Sequence, residues 1–142
     1  MFSKEESKKL RQDFWISFGK SFPYKWILYD TKIKGLALKF HFDLKTAMVS
    51  MDIESSDLER RIELWEKLVS LKSILIEDFL PEVIFKDSFL LDNHKEISRV
   101  FVLKTSVSIH NKSTWQETMV FLNSKMNKFE AFFEEYQDIL AS

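Results

Sequence analysis

Three carboxylates, Asp43, Asp52 and Glu54, fall within the stretch "KGLALKFHFDLKTAMVSMDIES", Lys34 to Ser55, which alternates apolar and polar residues twice. Carboxylates on a short hairpin can do one well-defined kind of chemistry. Two or three of them gathered around Mg²⁺, with a nearby Lys to stabilise an attacking water, form the centre of a restriction-endonuclease-like nuclease. That pattern wants an Asp near the start of one strand facing an acid-x-Lys on the next.

The alternation itself tests the pattern. Leu36, Leu38, Phe40 and Phe42 share one strand face, and Ala47, Val49, Met51 and Ile53 share another. A two-residue loop at Leu44-Lys45 pairs Phe42 with Ala47, Phe40 with Val49, Leu38 with Met51 and Leu36 with Ile53, so every apolar residue lands on one side. Asp43 then sits at the turn and Asp52 lies opposite Ala37, roughly 20 Å away at about 3.3 Å per residue. Those two acids cannot share a metal, and the residue two beyond Asp52 is Glu54 where the pattern wants Lys. The nuclease alternative survives only if Asp30 converges with Asp52 and Glu54, from a first strand flanking the hairpin. Otherwise the acids are expected on the solvated face of a half-buried sheet. The three His (His41, His94, His110) lack metal-ligand spacing, so no zinc site is expected. Ser108-x-His110 has no nucleophile elbow or orienting acid near it.

A second chemistry lies in "FGKSFPYKWILYDTKIKG", Phe18 to Gly35. Lys20, Lys25, Lys32 and Lys34 interleave with Phe22, Tyr24, Trp26 and Tyr29. Lysines neutralise phosphates while exposed aromatics stack on unpaired bases, the combination used to bind single strands. Lys20, Tyr24, Lys25, Trp26, Lys32 and Lys34 are therefore the nucleic-acid-binding candidates. The competing reading is a buried aromatic strand whose lysines solvate its edge.

The elements that must position these residues follow from periodicity. Ser3 and Glu6 have capping-box spacing before Leu10, Phe14 and Phe18, which predicts a first helix over 4–18. "FPYKWILYD" reads as a strand ahead of the hairpin. Ser56 and Glu59 then open a helix through Leu58, Ile62, Trp65, Leu68, Leu71 and Leu75, stopped by Pro81. "EVIFKDSFLLD" and "EISRVFVLKTSV" read as two strands around "DNHK", with alternation broken enough to predict a bulge or burial on both faces. Ser113 and Gln116 cap a last helix of about 40 Å whose apolar residues from Trp115 to Leu140 step by threes and fours. Phe121, Phe132 and Ile139 widen that stripe, so part of it could serve a second copy in a homodimer. The expectation is a single α+β domain over 1–142 in the order αβββαββα. Its mostly antiparallel five-stranded sheet carries three helices mainly on one face.

Composition bounds the rest. The 142 residues are 45% apolar and include 14 Phe, enough for one buried core. With no Cys there is no disulfide framework or thiol nucleophile, and two Gly leave no phosphate-cradling glycine loop. No cofactor is expected. No run approaches the roughly 20 apolar residues of a membrane span, so a soluble cytoplasmic protein is the default expectation. The net charge of −1 is uneven. Residues 1–46 carry 10 Lys or Arg against 5 Asp or Glu, while 47–96 carry 6 against 12, which points to a basic surface from the first third.

The strings "FWISFGKSFPYKWILYDTKIKG" and "SIHNKSTW", with the aromatic-rich final helix, resemble a bacterial family of domains of unknown function. The resemblance runs over nearly the whole chain. Members occur as small stand-alone proteins and beside nuclease-like or restriction-associated domains. It implies a prokaryotic single-domain protein linked to DNA work, and it carries over no catalytic residues. Three functions remain: a non-catalytic nucleic-acid-associated binding or accessory module, a divergent metal-dependent nuclease using Asp30, Asp52 and Glu54, and a protein-interaction or homodimerisation module.

Overall fold

The structure, a computed structural model, describes residues 2–142. Helix α1 (Lys4–Ser21) begins at the expected capping box: Ser3 Oγ accepts from the Glu6 amide at 3.1 Å, and Glu6 Oε1 accepts from the Ser3 amide at 3.3 Å. Strands β1 (Leu36–Phe42) and β2 (Thr46–Ile53) pair antiparallel, from Leu36 opposite Ile53 to Phe42 opposite Ala47. That is the register set by placing every apolar residue on one side. The loop lacks an Asn-Gly turn, and Asp43 takes its place. Its Oδ1 accepts from the amides of Lys45 and Thr46, both at 2.8 Å, an Asx turn that closes the hairpin.

Helices α2 (Leu58–Ser70) and α3 (Lys72–Asp78) follow, then β3 (Ile84–Leu90), β4 (Glu96–Thr105), a 3₁₀ turn (Lys112–Thr114) and α4 (Trp115–Ala141). The sheet is antiparallel with strand order β1-β2-β4-β3. The α+β class is as expected, but the described residues hold four strands and four helices, in the order αββααββα. Two corrections account for the difference. "FPYKWILYD" is not a strand. Its Ile27 amide donates to the buried Glu130 carboxylate at 2.6 Å, Leu28 takes a left-handed φ of 47°, and only the Leu28 carbonyl reaches the β1 edge, accepting from the Leu38 amide at 2.9 Å. A run with consecutive apolar residues at Trp26-Ile27-Leu28 has no alternating face to align a ladder. The long middle helix is two, parted at Leu71, whose amide donates to the Leu68 and Val69 carbonyls in a tightened last turn.

Cap positions shift by a residue or two. Asp57 caps α2 where Ser56 was expected, and Asn111 caps the 3₁₀ turn that leads into α4 where Ser113 was expected.

The core lies under one sheet face. Leu38, Val49, Met51, Ile53, Val100 and Val102 meet Leu64 and Leu68 of α2, Phe14 and Phe18 of α1, and Leu122, Met126, Phe129 and Phe133 of α4. The stripe of α4 is therefore largely buried within the chain; Phe132 is buried too, Phe121 is half-buried, and Ile139 alone of the three widening residues is exposed. On α2, by contrast, Leu58, Ile62 and Val69 are exposed and Trp65 is half-buried. Their 4-3-4 spacing forms an apolar seam on the outer side of that helix. The irregularity expected late in the chain is a bulge between Lys86 and Phe89, and β4 is buried on both faces from Ile97 to Val102. No helix among the described residues is long and apolar enough to cross a membrane.

Candidate nucleic-acid interface

Asp52 does not lie on a solvated face; it is fully buried. Arg99 stands directly across from it on β4 and grips both its oxygens, Nε to Oδ1 at 2.7 Å and Nη2 to Oδ2 at 2.8 Å. Lys39 of β1 lies 3.5 Å from Asp52 and 2.8 Å from Glu54, so Asp52 and Glu54 meet only through a shared ammonium. Burial by itself would lower the Lys39 pKa; the hydrogen bond to Glu54 and the charge of Asp52 outweigh it and hold the ammonium above its ordinary value. The bulge in β3 explains the burial: it carries Phe89 over the sheet's outer face, where the ring lies 4.3 Å from the Arg99 guanidinium carbon.

Asp30 does not join this group. It is 70% exposed and paired with Lys32 at 2.7 Å, a hydrogen bond that holds its carboxyl below the usual range. Among the described residues no three His, Cys, Asp or Glu side chains come close enough to hold a metal ion. His41 bonds Ser50 at 2.9 Å on the outer face; His110 bonds Ser7 at 2.7 Å; His94 sits in the exposed β3–β4 turn. Ser108 Oγ accepts from the His110 amide, a local turn contact with no part in a triad.

The lysine and aromatic segment is a loop over 22–35 whose lysines and tyrosines are exposed while Thr31 and Ile33 are buried. Tyr24 is 61% exposed and Tyr29 72% exposed, while Trp26 is half-buried between Phe18 and Phe40 and touches Tyr24 at a ring distance of 4.8 Å. Glu130 anchors the loop through Ile27, and Thr31 Oγ1 donates to the Leu36 carbonyl at 2.8 Å. Lys20, Lys25 and Lys34 are exposed and make no ion pair among the described residues, whereas Lys32 is taken by Asp30. The aromatic-strand reading therefore fails for the tyrosines and holds in part for Trp26.

A further set was overlooked in the sequence. Lys4, Lys8, Arg11 and Trp15 recur at four, three and four residues, which puts them on one face of α1. The three basic residues are exposed and meet no acid among the described residues. Lys8, Arg11, Gln12, Trp15 and Ile16 border a shallow cavity of about 720 Å³, and Trp15 also walls a second of about 380 Å³ reaching Tyr29 and Lys39. The signal was legible as a basic heptad stripe in the most basic third of the chain. The stripe, Trp15 and Tyr29 thus border adjoining parts of one surface.

Of the aromatic residues in the first string that carried the resemblance, Trp15, Tyr24 and Tyr29 lie on this surface, while Phe14 and Phe18 are buried in the core. No curated protein and no solved structure matches the chain. A family model described as a domain of unknown function, DUF4268, matches residues 10–137, so the chain belongs to that family.

Proposed function

We propose that this protein is a non-catalytic module that holds single-stranded nucleic acid, in the restriction or defence setting that its resemblance implies. The observation that carries the reading is the adjacency of the cationic stripe Lys4, Lys8 and Arg11 to the half-buried ring of Trp15 and the exposed ring of Tyr29, with Tyr24, Lys20, Lys25 and Lys34 further along. Phosphates pair with the cations and unpaired bases stack on the rings. The buried state of Asp52 supports a non-catalytic reading, because a metal there would have to displace a bidentate guanidinium.

The test is anisotropy of a labelled oligonucleotide at stepped salt. Binding that weakens steeply with salt is expected, and replacing Lys4, Lys8 and Arg11 by Gln lowers the log–log salt slope by about 2, at ~0.7 per phosphate contact. Absence of binding to any single or double strand at low salt overturns the reading. Mg²⁺-dependent cleavage abolished by Asp52→Ala would restore the nuclease alternative.

One observation favours a second reading, self-association. Leu58, Ile62 and Val69 of α2 are exposed beside half-buried Trp65, an apolar seam that an antiparallel copy of the same helix would cover. A monomer by light scattering at high concentration overturns it, as would a dimer unaffected by Ile62→Lys.

A further inference from the structure

On the outer face of the sheet, between the two hairpin ends, lies a cavity of about 540 Å³. Trp15 forms one wall and Phe89 another; Arg99, His41 and Lys39 supply its polar lining. The volume suits a small planar ligand.

The polar groups there are unusual in two respects. Arg99 is 4% exposed, and its Nε and Nη2 are taken by Asp52. Among the described residues its Nη1 makes no hydrogen bond, nor does Nδ1 of His41, whose Nε2 bonds Ser50. Yet among the described residues no side-chain nitrogen or oxygen sealed from solvent lacks a partner. Both atoms therefore reach accessible space, and the space that both residues border is this cavity. An otherwise enclosed guanidinium thus keeps one amino group free to donate to a ligand in the cavity.

Charge decides the class of that ligand. Arg99 and Lys39 are balanced by Asp52 and Glu54, and the rim adds Asp43 and Asp92. A phosphate or carboxylate gains little there. An uncharged ring with acceptors on its edge gains a hydrogen bond from Arg99 and stacking from an aromatic wall. Trp15 also borders the cavity beside Lys8 and Arg11, so a strand whose phosphates lie on α1 brings its bases to this opening.

We propose that the cavity seats one unpaired base of a bound strand, stacked on Trp15 and held at its edge by Arg99 Nη1. This rests on the single-strand reading for its ligand.

The experiment has two arms. Adenosine, guanosine, cytidine and uridine, which carry no phosphate, are titrated into the wild-type protein while the imidazole resonances of His41 and the indole resonance of Trp15 are followed. At least one nucleoside shifts both, leaves His94 unmoved, and binds equally at low and high salt. In the second arm, Arg99→Met with Asp52→Leu removes the guanidinium and its counter-ion together, which keeps the sheet packed. That variant binds the oligonucleotide roughly tenfold more weakly with an unchanged salt slope. If no nucleoside moves His41 and Trp15, or the double variant holds the strand as wild type does, the base site is wrong and the strand reading stands. If the wild type binds no strand, the strand reading fails and takes this proposal with it.

Discussion

His41 offers the sharpest test of the buried outer face. Its ring is half-buried on the sheet's outer face, and burial, followed by the positive charge of Arg99, pushes its pKa from the ordinary 6.5 down to about 4. The unfolded chain takes up a proton near 6.5, whereas the folded chain resists until about 4. Between those values the unfolded state binds more protons, so stability falls as pH drops through that window and is level above it. At ~1.4 kcal/mol per pH unit the full loss from this residue is about 3 kcal/mol, a large share of the roughly 5–15 kcal/mol that holds a domain folded. Urea unfolding followed by circular dichroism between about pH 7 and about pH 5 measures most of it. His41→Gln provides the reference: its amide can still bond Ser50 but does not titrate, so the difference between the two slopes belongs to His41. Parallel wild-type and variant profiles, or an imidazole midpoint near 6.5 in the folded protein, would refute the reasoning.

Three other outcomes follow from the same structure. Asp52→Ala leaves the Arg99 charge buried without its partner and is expected to cost about 3–5 kcal/mol by urea titration, whereas Arg99→Met with Asp52→Leu stays near wild type. Gly35 has φ of 88° and a Cβ there would stand 3.0 Å from Ser55 Cβ, so Gly35→Ala is expected to cost at least about 1 kcal/mol by the same assay. Burial raises the Glu130 pKa against the hydrogen bond from Ile27, so the stability tied to its protonated form is lost as pH rises through that raised value. Glu130→Gln should keep the loop anchored and remove this dependence, while Glu130→Ala orphans the Ile27 amide and speeds limited proteolysis within 22–35.

What could be read in advance was local. The hairpin register followed from eight alternating apolar residues, since one residue of slip would turn all of them to the wrong face. The Ser3–Glu6 cap and the buried stripe of α4 were legible for the same reason: each is a pattern within one element. The candidate lysines and Tyr24 were legible as residue types. The basic stripe on α1 was equally present in the sequence, but its helix had been read only for its apolar spacing.

Other outcomes hinge on partners distant in sequence and emerge only once the chain is folded. Asp52 reads as a surface acid until β4 is laid beside β2 and Arg99, 47 residues on, meets it. "FPYKWILYD" reads as a strand until Glu130, 103 residues away, claims the Ile27 amide and holds the segment as a loop. Short-range periodicity fixes which face of an element is apolar, because the backbone repeat alone sets it. Whether the polar face meets water or another strand is set by chain closure over long separations, and that is where this molecule placed its buried charges.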